Sequence, residues 1–388
     1  MENIAGNNPV SGENFFGREK FVRHLFSLLK KGNSFLLLGI RRTGKSSVIE
    51  EIKRRIINEG EIEIVYLNCQ SYKGIEELYK ELFLSLPRDL GERLSRYLSG
   101  TKKIPKQIID VISDHIEEVK VAGTGVKLRN TIIDYADPLR IEISKFFSKE
   151  KKRIILLIDE LPFLIEKISQ SDKENILDEI ESILITLRDW RNAKIAMAVC
   201  GSLNLHQQLE ELGISRKLLA GLITQRLPTF TKEEAKGLMQ KLNESYQVNL
   251  GVEIIEQMIL LLPDYVPYFI QYFFHVVQIY EGQLTADVIE ELYKEEVYQR
   301  LDDDFIYQFQ ERLKAFKGND QATARNILAY IAKQQPVHTN DILENIKATN
   351  TYEILIKLRV HEFITTNSDL KYHFTLNVIK NEWENLNR

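Results

Sequence analysis

Apolar residues fall in short unbroken runs along the N-terminal half of the chain. They occupy Ser34–Ile40, Glu63–Cys69, Arg153–Asp159 and Lys194–Gly201. None of these runs alternates polar with apolar positions. That pattern belongs to strands covered on both faces, as in a parallel α/β sheet. A further run, Leu222–Phe230, reads as a fifth strand. Between the runs the apolar spacing changes to helical, for example over Ser46–Asn58 and Lys173–Trp190. Strand–helix alternation of this kind predicts a doubly wound sheet. The connection Tyr72–Glu150 is too long for one crossover. Gly74–Leu86 and Pro105–Glu118 read as helices, and Val119–Leu128 as a β-hairpin around Gly123-Thr124-Gly125. Together they form an insert.

Beyond Phe230 the pattern turns helical throughout, opening at Thr231, a plausible N-cap followed by acidic first-turn residues. It runs to about Phe316, and Lys317–Asp320 reads as a turn. Helical stretches then follow at Gln321–Gln334, Thr339–Ile346 and Asn350–Phe363. Two β-like arms, Phe363–Thr366 and Tyr372–Thr375, flank a turn at Asn367-Ser368-Asp369. Three helices and a β wing in that order match the winged-helix pattern. The expected divisions are a flexible arm over 1–13, a sheet domain over 14–231, a helical domain over 232–316 and a winged-helix domain over 317–388. The arm, rich in Asn, Gly, Ser and Pro, reads either as mobile or as packed on the next domain.

Composition narrows the functional classes. The 388 residues are 44% hydrophobic and 28% charged, with a formal net charge of −4. This excludes disordered, collagenous and disulfide-stapled chains. No apolar run approaches the ~20 residues of a membrane helix, and MENIAGNNPV lacks the basic and apolar regions of a signal peptide. Cys69 and Cys200 are too far apart for a zinc or disulfide framework. The expectation is a reduced, cytoplasmic protein with no membrane partner. Mild acidity argues against sequence-independent nucleic-acid binding. From Gly318 to Arg388, five Lys and three Arg are balanced by three Asp and five Glu. DNA binding through the winged helix therefore has no support from charge.

The chemistry is concentrated at Gly39-Ile40-Arg41-Arg42-Thr43-Gly44-Lys45-Ser46, a GxxxxGK[ST] loop after an apolar strand and before a helix. Such a loop wraps phosphates in backbone N–H groups. Lys45 supplies charge to the β- and γ-phosphates, and the Ser46 hydroxyl is a ligand for Mg²⁺. Arg41 and Arg42 read either as screening phosphate charge or as pairing with acidic residues of the insert. Lys53-Arg54-Arg55 reads as the solvated face of the next helix. The third strand ends in Asp159-Glu160, a Walker B arrangement. Asp159 holds Mg²⁺ through water, and Glu160 orients and deprotonates an attacking water. The fourth strand runs into Gly201-Ser202-Leu203-Asn204, where Ser202, with Asn204 second, is the candidate sensor of the γ-phosphate. Cys200 reads as a small buried hydrophobe.

Together these stretches resemble the archaeal-type ATPase family, a branch of the STAND and AAA+ P-loop ATPases. Asn14-Phe15-Phe16-Gly17-Arg18-Glu19 is similar to the family's opening motif, which lies near the adenine and implicates Phe16, Gly17 and Arg18. Gly39–Ser47 is similar to its phosphate loop, adding Thr43, Gly44 and Ser47. Leu156–Leu164 resembles its Walker B segment and Val199–Ser202 its sensor strand. Pro267 falls where the family carries Gly-x-Pro in a helical lid, although Tyr265 stands in place of the glycine. Gly221-Leu222 replaces the family's Gly-Arg before the last strand; Arg216 and Arg226 lie nearby, and Arg216 is the candidate arginine finger. The resemblance implies an α/β P-loop NTPase of the AAA+-like kind with a helical lid and a winged helix. It implies ATP and Mg²⁺ as cofactors and slow basal hydrolysis. The role it suggests is a switch coupled to self-association or to a separate effector protein. The alternatives are a DNA-binding ATPase of replication-initiator or transposition-regulator type, and a regulatory ATPase subunit of a defence or toxin system.

Overall fold

The computed structural model describes residues 8–60, 62–110, 135–171, 175–192, 195–201, 205–301, 307–314 and 316–386. The hairpin expected at Val119–Leu128 lies outside them. The chain divides into two compact units, one spanning Pro9–Leu227 and one beginning at Pro228.

The first unit is built on strands β1 Ser34–Leu38, β2 Ile62–Asn68, β3 Arg153–Asp159, β4 Ala196–Cys200 and β5 Leu222–Arg226. All neighbours are parallel, in the order β2-β3-β4-β1-β5. Strand β4 therefore lies between β1 and β3. The expected strand to Phe230 stops at Arg226. Leu227 still donates its N–H to Leu38 O at 2.8 Å, but Pro228 has no N–H to continue the ladder.

The two faces of the sheet follow the strand period of two. Phe35 and Leu37, Ile155 and Leu157, and Ala196, Ala198 and Cys200 share one face with helices α1 Glu19–Lys30 and α2 Lys45–Glu59. Val22, Leu25 and Leu29 of α1, and Val48, Ile49, Ile52 and Ile56 of α2, supply the buried helical stripes. The opposite residues, including Ile154, Leu156, Ile158, Met197 and Val199, pack against α3 Ile75–Ser85, α4 Arg88–Thr101, α5 Ala136–Lys149, α6 Leu161–Ser169 and α7 Ile176–Asn192. A short helix, α8 Leu205–Glu211, adds Leu205 and Leu209 to that core. Helices α4 and α5 were not among the expected elements, although Leu90, Leu94 and Leu98 recur at helical spacing and are fully buried.

The second unit opens with α9 Lys232–Tyr246. Thr231 is its N-cap as expected, within a full capping box: Glu234 N–H donates to Thr231 Oγ1 at 3.1 Å, and Thr231 N–H to Glu234 Oε2 at 2.9 Å. Next come α10 Val252–Leu261 and α11 Pro267–Ile279. The aromatic run of α11 is core: Phe269, Phe273 and Phe274 are fully buried. Helix α12 Ala286–Leu292 continues into a π-helical stretch, Tyr293–Tyr298, and α13 spans Tyr307–Leu313. Then follow α14 Asn319–Gln334, α15 Thr339–Asn345, α16 Thr351–Val360, the antiparallel pair β6 Ile364–Thr366 and β7 Tyr372–Phe374, and α17 Asn377–Leu386. Asn367 organises the hairpin turn, its side-chain oxygen accepting from the N–H groups of Asp369 and Lys371 at 3.0 Å each. No helix among the described residues is long and apolar enough to cross a membrane.

One polar contact ties this unit together across more than a hundred residues. Asp264, in the α10–α11 loop and nearly buried, accepts the N–H of Asn377 at 2.9 Å and of Val378 at 2.8 Å. It thereby satisfies donors that the start of α17 leaves open. Asp264→Ala is expected to destabilise this unit by about 1–2 kcal/mol, and Asp264→Asn, which keeps one acceptor, by less. Urea unfolding of the full chain monitored at Trp383 of α17 checks the order.

Candidate functional site

The loop from Gly39 to Gly44 joins β1 to α2 and closes on itself through Ile40. The carbonyl of Ile40 accepts from Thr43 Oγ1 at 2.7 Å, Thr43 N–H at 3.3 Å and Lys45 Nζ at 3.0 Å. Lys45 Nζ also donates to Gly39 O at 2.8 Å, and both Lys45 and Thr43 are buried. Gly39 packs tightly on its neighbour: a Cβ there would lie 3.1 Å from Leu227 O and 3.2 Å from Leu227 Cβ, so a side chain would press on the end of β5. Gly44 turns the chain into α2 at φ +88°, a conformation that L side chains resist. Arg42 also sits at positive φ, and Arg41 is exposed. Ser46 follows Lys45 in the first turn of α2, where backbone N–H groups make an anion site.

The opening motif reaches this loop directly. Arg18 Nη1 donates to Thr43 O, and Gly17 and Arg18 both adopt positive φ before α1. Phe16 is half-buried. Residues 9–13 take the packed reading of the arm: Val10 N–H donates to Ser47 Oγ at 3.1 Å and Gly12 N–H to Glu51 Oε2 at 2.9 Å. Glu51 also binds Arg54 at 2.7 and 2.9 Å and Arg55 at 2.8 Å, and Arg55 reaches Glu19 at 2.8 Å. Arg54 is exposed, as the solvated-face reading expects, but Arg55 is largely covered and ties α2 to α1 through Glu19, which corrects that reading for Arg55. Burial alone would push the Glu51 carboxyl up. The hydrogen bonds from Arg54, Gly12 and Arg55 outweigh it and hold the group at about 2.

At the same carboxyl edge of the sheet, one strand away from the loop, Asp159 closes β3 on the α1–α2 face and is buried. Its Oδ1 accepts Glu160 N–H at 3.0 Å and the Cys200 thiol at 2.8 Å. Glu160 caps α6 in the left-handed region, φ 56°, ψ 32°. That backbone costs a non-glycine residue about 1 kcal/mol and is the kind of strain that gathers at functional sites. Gly201 makes room for Pro162, in the first turn of α6: a Cβ there would lie 2.4 Å from Pro162 Cδ, and 3.4 Å from Glu160 Oε2. The Glu160 carboxylate therefore sits over the end of β4. The role of Gly201 was not visible in sequence, because it depends on which strand neighbours β3. Nor was that of Cys200, which is hydrogen-bonded as well as buried. Burial, then the charge of Asp159 and its hydrogen bond, push its thiol well above the ordinary range.

The remaining expected residues divide. Ser202 and Asn204 lie outside the described residues. Arg216 begins a 3₁₀ turn, Arg216–Leu219, and pairs with Glu210 of α8 at the surface. Arg226 ends β5 and is exposed. Burial, with Arg216 and Arg226 adding to it, lowers the pKa of His206, which places both arginines in one electrostatic neighbourhood. Pro267 is the first residue of α11, where a missing N–H breaks no helical bond.

The family model described as Novel STAND NTPase 6 matches residues 15–118, which contain the opening motif and the phosphate loop. No curated protein sequence matches the chain. A Walker-type ATPase of Pyrococcus abyssi superposes with a TM-score of 0.62 at 17% identity, over 97% of this chain and 98% of that one. The ORC2 protein of Aeropyrum pernix gives 0.49 at 11% identity, over 97% of each chain. Cdc6p of Pyrobaculum aerophilum gives 0.42 at 11%, over 100% of this chain and 99% of that one. The fold is that of P-loop NTPases, and the resemblance to STAND proteins is supported over residues 15–118.

Glu51 links this region to acid stability. Its folded pKa lies below the ordinary 4.5, so its contribution is complete above that value and is lost as pH falls through about 2. Urea midpoints between pH 5 and 2 should fall more steeply for the native sequence than for Glu51→Gln, whose cost at neutral pH is about 2–3 kcal/mol.

Proposed function

We propose that this protein is a Mg²⁺-dependent ATPase and a conformational switch of the STAND and AAA+ kind. The observation that carries the reading is the clasp of Lys45 by the carbonyls of Gly39 and Ile40, with a single strand separating this loop from Asp159-Glu160. A triphosphate offers the ammonium oxygen ligands of higher charge than those carbonyls. Lys45 and the loop N–H groups then hold the β- and γ-phosphates, assisted by Arg41, Arg42 and the start of α2.

Ser46 and Asp159 present hard oxygen donors and no nitrogen or sulfur, a set suited to a hydrated Mg²⁺. When bound, the ion neutralises charge on the phosphates. Glu160 takes a proton from water as the water oxygen bonds to the γ-phosphorus and the bond to the β–γ bridging oxygen breaks. Ser202 is assigned to sensing the γ-phosphate. Arg216, paired with Glu210 of its own chain, is assigned as a finger offered to a second copy, so basal turnover is expected to be slow. We assign 232–316 as the lid and 317–388 as a winged helix that reports nucleotide state to a partner protein in the cytoplasm.

Lys45→Ala should lower ATP affinity at least 100-fold by calorimetry; unchanged affinity would refute the phosphate-loop assignment. Glu160→Gln should keep ATP binding while turnover falls roughly 10²–10³-fold. Sedimentation of that trapped protein with ATP and with ADP should give two different particle masses if nucleotide drives assembly.

A further inference from the structure

Parallel register fixes an unexpected neighbour for the Walker B carboxylate. Val199 of β4 pairs with Ile158 of β3, so the next residues, Cys200 and Asp159, stand side by side on the sheet face that carries α1 and α2. Cys200 has no exposed surface. Among the described residues, both hydrogen bonds accepted by Asp159 fall on the same oxygen, Oδ1, from the Cys200 thiol at 2.8 Å and Glu160 N–H at 3.0 Å. Lys45 is close enough to act on the Cys200 thiol electrostatically. Cys69, one residue past the Asn68–Asp159 pair on β2, belongs to the opposite face.

We propose that Cys200 is a positioning residue for Asp159: its thiol commits Oδ1 to the protein and leaves Oδ2 for a hydrated divalent cation. A thiol suits this place on two counts. It is apolar enough to pack beside Ala198 and Leu37, where a hydroxyl would need a second partner. It has one proton to give, so it orients the carboxylate without competing for the cation's water shell. Groups that orient a metal-binding carboxylate set its affinity for metal nearly as strongly as the ligands do. Nothing in the residue type signals this, since the contact exists only through the β3–β4 register. The inference rests on the ATPase reading above.

Two measurements test it. In nucleotide-free protein, the infrared difference spectrum between the native sequence and Cys200→Ala isolates the Cys200 S–H stretch. It should lie below the frequency of an unbonded thiol and move up in Asp159→Asn. Second, Mn²⁺ binding to the ADP complex, read by electron paramagnetic resonance, should weaken roughly 3–10-fold in Cys200→Ala. Metal-free ADP affinity should stay unchanged, and Cys200→Ser should return Mn²⁺ affinity to within about twofold of native. An unbonded S–H frequency, or native Mn²⁺ affinity in a folded Cys200→Ala that binds ADP, would overturn this inference and leave the ATPase reading intact. Failure of the native protein to bind any nucleotide would overturn both.

Discussion

A buried ammonium must be met by oxygen, and the neighbourhood of Lys45 is arranged around that demand. Two loop carbonyls hold it, and they converge only because the backbone turns tightly from β1 into α2. The turn sets Gly39 tight against Leu227 and Gly44 at positive φ. The closeness of Leu227 requires β5 next to β1, and β1 is in turn held by β4 on its other side. The order of the sheet is thus bound to the position of one charge. The two carbonyls are neutral dipoles, which the oxygens of an anion of higher charge density can outcompete.

Much of this was legible in the chain. The unbroken apolar runs gave β1 to β4 because strands covered on both faces have no polar face to show. The spacing of Gly39, Gly44, Lys45 and Ser46 located the loop, since that chemistry is local in sequence. The extent of β5 was misjudged because the apolar run outlasts the ladder: Pro228 stops the pairing, whatever the hydrophobicity of Phe230. Helices α4 and α5 sit within a long connection, where Leu90, Leu94 and Leu98 mark α4 and Leu139, Ile143 and Phe146 mark α5.

What escaped depends on partners distant in sequence. Gly201 looks like an ordinary turn glycine until Pro162 and Glu160 are brought beneath it. Arg55 looks like surface charge until Glu51 and Glu19 arrive to share it, while Gly12 joins the arginines on Glu51. Cys200 resembles a small apolar filler until the register sets it against Asp159. In each case the residue type permits the bland reading, and only tertiary proximity overrides it.

The contact of Asp264 with the first turn of α17 bears on how the second unit comes apart. A carboxylate withdrawn from water needs donors, and here they arrive from a segment 113 and 114 residues further along. Peeling away the terminal helix would strand that charge inside the earlier bundle. Fraying at one end is therefore felt at the other, and the bundle and the hairpin module should open as one cooperative foldon in hydrogen exchange.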